Sequence, residues 1–338
     1  MKISLPLKLG ITVIVIFGLL AIGMVLWKPM KVRYYAAKLH SEDIKIRQHA
    51  ARILLNLVTE GPKDRGTNRP VFNYYTDRYD PKDVKKRMKV VDELCDCGDK
   101  GKAVMKEIFR NWCRSPSQQS KIPPGTLTLE NGSKVEIKSL YVDKFEVTME
   151  KCCVYQSCTG LSSGFTEVLL DNIRLECYQV QVGKETFLYH EMLNPRSNIT
   201  WHDAKAYADW LGMRLPTEYE WEYAARAGST GKYCFGDNDS LLNEYAWYIS
   251  NSSHKLHPVG QKAPNNWGVY DVHGNVYEYT HDSKIFADNG APITPGCTIW
   301  IARLGGCCLS LEPQCSLSAK YGYLGTLYDI GFRCVRDP

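Results

Sequence analysis

Thiols are the chemically richest feature of this chain. Thirteen cysteines stand among 338 residues, and several are close neighbours: Cys95-Asp96-Cys97, Cys152-Cys153 with Cys158, and Cys307-Cys308 with Cys315. A thiolate can attack an electrophile, hold a soft metal ion or close a disulfide. So many cysteines favour an exported, oxidising setting, and the odd number leaves at least one sulfur unpaired within the chain. Cys95 and Cys97 have no second Cys or His pair at ligand spacing, so they do not read as a metal site. A different chemistry is written in Asp271-Val-His-Gly-Asn-Val-Tyr-Glu278. Its two carboxylates suit a hard cation, or a tight turn in which both hold backbone amides.

The elements that must carry these residues fall into four stretches. Leu9 to Trp27 has no charged residue. At about 1.5 Å per residue it nearly spans a hydrocarbon core of about 30 Å. With Lys2 and Lys8 before it and no small-residue cleavage site after it, residues 1–30 read as an uncleaved transmembrane signal anchor. Lys28, Lys31, Arg33 and Lys38 on the far side would hold the following domain inside by the positive-inside rule, whereas the cysteine content argues for export. The cysteine argument is preferred, with the head on the periplasmic or extracellular side. Residues 34–113 read as a small helical spacer. The helices run over Ser41–Leu57 with Ser41 as N-cap, Pro81–Leu94 and Gly101–Trp112, the first with a HEAT-like phrase. Residues 114–125, rich in Ser and Pro, read as a linker.

Residues 126–338 open with a hairpin signal, an alternating stretch around Asn131-Gly132. Two capped helices follow, one opened by Thr200 and stopped near Gly212, the other opened by the capping box Thr217-Glu-Tyr-Glu220 and ended by Gly228. Arg214 and Glu222 are a pair able to lock the turn between them. The net charge of +5 is spread without a dense Lys/Arg run, which argues against nucleic acid as a partner.

Three segments in order, Arg214-Leu-Pro-Thr-Glu-Tyr-Glu-Trp-Glu-Tyr-Ala-Ala-Arg226, Gly274-Asn-Val-Tyr-Glu-Tyr279 and Gly331-Phe-Arg-Cys334, resemble the formylglycine-generating enzyme, or sulfatase-modifying factor, family. Tyr141-Val-Asp-Lys-Phe-Glu-Val-Thr148 resembles its opening strand, with Phe145 where the family usually has Tyr. The resemblance implies an α+β, C-type-lectin-like domain with little regular secondary structure. It also implies a calcium loop with Asp271, Gly274, Val276 and Glu278 as ligands. The family's oxidase turns a cysteine of a sulfatase-type substrate into formylglycine with oxygen, using copper(I) held by a Cys-x4-Cys pair after Gly-Gly-Ser. Here the run is Gly305-Gly-Cys-Cys-Leu-Ser-Leu-Glu-Pro-Gln-Cys315, so the second thiol maps to Cys315 and the first to Ser310. A serine hydroxyl stays protonated and hard, a poor copper(I) ligand. Cys307 or Cys308 could replace it only if the loop shifted by several ångströms, where metal–thiolate geometry tolerates tenths. The iron-dependent sulfoxide synthases of the superfamily carry a His-x3-His-x-Glu pattern that this chain lacks.

The resemblance also suggests disulfides, Cys315 with Cys334, while the spacing of Cys153 and Cys158 suggests a second, local one. Tyr321, Tyr323, Leu327 and Tyr328, set among Gly and Ser before Ile330-Gly-Phe-Arg333, form a stretch of adaptable binding composition. It is similar to the variable tails of diversified lectin-fold binding proteins. The reading that follows is a membrane-anchored, non-catalytic head for a protein or glycan ligand. The alternatives are a copper oxidase using Cys315 with Cys308 or Ser310, and an accessory domain of a membrane complex.

Overall fold

The computed structural model describes residues 32–56, 80, 82–160, 192–281, 304–317 and 329–338. The anchor expected over residues 1–30 lies outside these. Among the described residues no helix is long and apolar enough to cross a membrane. The chain forms two compact units, residues 1–108 and 109–338.

The first unit carries helices α1 (Ile44–Asn56) and α2 (Val84–Cys95) and the start of α3 (Asp99–Cys113). Helix α1 begins later than Ser41 because Asp43 Oδ1, not Ser41, accepts from the first-turn amide of Lys45 at 2.8 Å. Asp83 caps α2 in the same manner, accepting from Lys86 N at 3.1 Å. Ala50, Ala51 and Leu54 of α1 and Val90, Val91 and Leu94 of α2 are buried. Between these helices Arg47 and Glu93 form a buried ion pair at 3.1 Å, with Arg47 also bonded to the carbonyls of Ser41 and Glu42 at 2.8 Å. Cys97 Sγ is bonded to Glu93 O at 3.3 Å, an ordinary helix-end thiol contact.

The second unit is built on a sheet of order β1-β4-β7, from Gln119–Ile122, Leu140–Asp143 and Val335–Arg336. Strand β1 lies within the stretch expected as a linker. Its Ser and Pro content suggested a connector, yet Gln119, Ser120 and Ile122 are buried and pair antiparallel with β4. The expected hairpin is present as β2 (Gly125–Thr128) and β3 (Lys134–Ile137), antiparallel, with Gly132 at φ 79° in the turn. The core gathers Ile122, Leu127, Leu140, Val142, Trp221 and Val335. Burying one such aliphatic side chain is worth about 1.5–3 kcal/mol.

Helices α4 (Met149–Thr159), α5 (Trp201–Trp210) and α6 (Glu218–Arg226) pack around this frame, each opened by a threonine. Thr200 Oγ1 accepts from Asp203 N at 3.1 Å. The Thr217–Glu220 capping box closes in both directions, at 3.2 and 2.8 Å. Helix α6 ends at Ala227, which takes the left-handed φ of 47°, one residue before the expected glycine. Arg214 pairs not with Glu222 but with Glu220, at 2.6 Å, and with Asp337 at 3.0 Å. Glu222 instead meets Arg226 one helical turn on, at 2.8 Å, because i and i+4 share a helix face.

Candidate functional site

Three segments far apart in sequence come together through two-residue strands. Strand β5 (Tyr277–Glu278) pairs in parallel with β6 (Ile330–Gly331), and Glu278 also bridges to Leu304. Thus the loop Asp271–Glu278, the thiol segment 304–317 and the Gly-Phe-Arg-Cys segment share one region.

At its centre is an ion pair. Arg333 Nε and Nη2 donate to Glu278 at 2.6–2.9 Å, and Trp221 Nε1 donates to Glu278 Oε2 at 2.8 Å. Arg333 spends its remaining donors on the carbonyls of Asp143, Lys144 and Tyr270. Both residues are buried. Expected as a calcium ligand, Glu278 does not fit that role, because both of its oxygens are closed on a guanidinium and an indole, and the adjacent Arg333 charge repels a cation. Asp271 sits at φ 58°; its Oδ2 accepts from Gly260 N at 2.7 Å, while Oδ1 has no hydrogen-bond partner among the described residues. Gly274 is packed against the Trp247 carbonyl, where an added Cβ would come within 2.2 Å. The amide of Val276 donates to Glu146 Oε1 at 3.2 Å.

Sequence reasoning missed Glu146, whose Oε2 also accepts from Asn275 Nδ2 at 2.8 Å. A glutamate between Phe145 and Val147 was the available signal, as was Arg333 between Phe332 and Cys334. Burial raises the Asp271 carboxyl to about 6. Burial, then the Asp271 charge, lifts Glu146 well above the usual carboxylate range.

The thiol segment begins with Gly305 and Gly306 at φ 89° and 73°, conformations that suit glycine. A turn follows, in which Ser310 N donates to Cys307 O at 2.9 Å. The Ser310 hydroxyl accepts from Cys307 N at 2.8 Å and bonds to the Tyr277 hydroxyl at 2.8 Å. Cys307 Sγ lies 3.5 Å from Ser310 Oγ, 3.4 Å from Leu309 N and 3.5 Å from Asp329 Oδ2. Hydrogen bonding from Cys308, with help from Ser310, favours the Cys307 thiolate. The same bond, with burial, pushes Cys308 up. Cys315 is fully buried with Sγ on Leu311 O at 3.6 Å, and burial, then the Cys307 charge, pushes it up to about 12. His273 anchors this corner. Its Nδ1 faces Cys315 O at 2.8 Å and its Nε2 accepts from Cys234 N at 3.1 Å, so burial holds it neutral, with a pKa of about 4.

The cysteines among the described residues are thiols. Cys153 and Cys158 both lie on α4, five positions apart, so a rise of about 1.5 Å per residue puts them about 7.5 Å apart along the axis, beyond disulfide reach. Cys334 is not beside Cys315. It sits against Asp143, whose Oδ2 accepts from its amide at 3.2 Å, and the thiols whose charges bear on it are Cys113 and Cys152. Tyr321, Tyr323, Leu327 and Tyr328 lie outside the described residues.

Residues 105–338 match the sulfatase-modifying factor enzyme 1-like domain. The chain belongs to this family. Among its sulfatase-modifying factor relatives is a protein named formylglycine-generating enzyme from Mycobacterium tuberculosis, 31% identical over 48% of this chain and 64% of that protein. The bovine protein named inactive C-alpha-formylglycine-generating enzyme 2 is 32% identical over 42% of this chain and 50% of that protein. The serine/threonine-protein kinase pkn1 of Chlamydia pneumoniae is 29% identical over 60% of this chain. The chain matches 34% of that kinase's length.

Proposed function

We propose that this chain is a membrane-anchored member of the family whose head binds a protein or glycan ligand and does not oxidise cysteine. The observation that carries this reading is the state of Ser310. Its hydroxyl stands where the resemblance puts a copper thiolate, and it is committed to the Cys307 amide and the Tyr277 hydroxyl. It is also buried. An alcohol so engaged acts as a structural strut, and it stays protonated and hard where a soft metal wants a thiolate. The retained partner, Cys315, is held as a thiol by its apolar surroundings.

Anchoring would come from residues 9–27, with the head outside the cytoplasm, and recognition from the Tyr/Gly/Ser stretch 321–328. The bovine relative whose name marks it inactive supports the non-oxidase part of this reading. The test is dioxygen uptake by the purified full chain with copper(I) and a panel of cysteinyl peptides. Uptake should stay at the protein-free baseline. Uptake that depends on both peptide and protein would overturn the reading in favour of the oxidase alternative.

A further inference from the structure

We propose that the first compact unit docks on the surface of an anionic phospholipid bilayer through the lysines at the start of α2: Lys82, Lys85, Lys86 and Lys89. The inference deepens the anchoring part of the proposed function and rests on it. Its first support is the way charge divides. The net charge of +5 looks spread when read along the chain, but the two compact units share it unequally. Residues 1–108 hold twenty-one Lys and Arg against twelve Asp and Glu, whereas residues 109–338 hold twenty-one against twenty-five. The unit that carries the expected anchor is therefore strongly basic, and the head is acidic. A charge difference of this kind between two parts of a chain points to a polyanionic surface as partner of the basic part.

The second support is where the lysines stand. All four are exposed. Lys85 and Lys89 are one helical turn apart with Lys86 beside them, while Arg87, Val90, Val91 and Leu94 are buried. Lys82 comes just before the N-cap, Asp83. A helix N-terminus is the positive end of the macrodipole and favours acidic side chains; the C-terminus favours basic ones. Helix α2 has no acidic residue in its first turn and no basic residue in its last. Asp92 and the C-cap Asp96 stand at its C-terminal end instead. Lysines at one end and aspartates at the other both oppose the dipole, so this arrangement does not serve the helix. Asp80 at 3.2 Å and Asp83 at 3.6 Å from Lys86 offset only part of the positive charge. A local rule broken in this way fits a surface that gains its stabilisation from a partner.

The bilayer is the polyanion within reach. Trp27 closes the uncharged stretch, and Val32, five positions on, is already helical. Five residues extend to at most about 18 Å, so the unit stays close to the headgroups. An anionic leaflet attracts juxtamembrane lysines over about one Debye length, roughly 8 Å at physiological salt. Only an anionic leaflet is required, so the contact does not depend on which side of the membrane the unit lies. Four lysines partly offset by two aspartates orient a unit that is already tethered; they do not retain a chain that lacks its anchor.

The experiment is lysine acetylation of the full chain reconstituted in nanodiscs, read residue by residue by peptide mass spectrometry. One set of discs is phosphatidylcholine, and the other also holds phosphatidylglycerol. Relative to Lys255 of the second unit, Lys82, Lys85 and Lys89 should react roughly threefold or more slowly in the anionic discs. The difference should vanish at about 1 M salt, where the Debye length falls to about 3 Å. The double variant Lys85→Gln, Lys89→Gln should lose the protection of Lys82 while unfolding at the same or a higher temperature, an outcome that a purely structural role does not give. Should that variant fail to fold, the lipid and salt comparisons on the native chain decide alone. Equal labelling in the two lipids, protection that persists at high salt, or Lys82 still protected in the folded double variant would overturn the docking surface; discs that retain the chain would leave the anchor intact. Failure of the chain to enter either disc would sink the anchor and this contact with it. Protection by added duplex DNA and not by phosphatidylglycerol would reassign the lysines to nucleic acid and likewise overturn the proposal.

Discussion

At the scale of single residues, the site is governed by a cluster of buried carboxyl groups. Glu146, Asp271 and Glu278 are all buried, against the one guanidinium of Arg333. Removing half of a buried ion pair leaves its partner uncompensated, at a cost of about 3–5 kcal/mol. Glu278→Gln should therefore lower the urea midpoint steeply; a loss below about 1 kcal/mol would contradict the central role given to this pair. Asp271 predicts a pH dependence. Its folded-state value of about 6 lies above the ordinary 3.8, so the folded protein holds a proton that the unfolded chain releases. Stability should fall as pH rises from about 4 to about 6 and level off above, a loss on the order of 3 kcal/mol. Asp271→Asn should flatten that slope and raise stability at neutral pH, measured by urea unfolding in the presence of a chelator. Glu146 moves in the same direction and leaves a residual slope.

At the scale of elements, caps and turns do much of the positioning. Thr217→Ala removes one arm of the capping box that starts α6, and with it the register of Trp221 against Glu278. A loss of about 1 kcal/mol is expected on thermal unfolding, and Thr217→Ser should restore most of it. These features were legible in the sequence because they are local. The hairpin turn at Asn131-Gly132 and the threonine caps at 200 and 217 each depend on residues within a few positions. What stayed hidden depends on contacts across the chain. Strand β1 looked like a linker because its pairing with β4, Gln119 against Asp143, is not local in sequence. Glu278 looked like a calcium ligand because Arg333 is 55 positions away.

At the scale of the whole molecule, residues 105–338 belong to the sulfatase-modifying factor family, and the first compact unit, residues 1–108, lies almost entirely ahead of that match. If residues 9–27 anchor the chain, a variant lacking residues 1–30 should move from the membrane fraction to the soluble fraction with the head still folded. Retention in the membrane would contradict the anchor. Protease added to sealed vesicles of known orientation should degrade the head only where the extracytoplasmic face is exposed. The central claim is that a hydroxyl at position 310, closed into its turn, leaves the head unable to oxidise cysteine. Mass spectrometry of a cysteinyl peptide incubated with excess copper-treated protein in air measures this most directly. The native chain should return the peptide with its thiol or as a disulfide. Appearance of the aldehyde in proportion to protein would contradict the account.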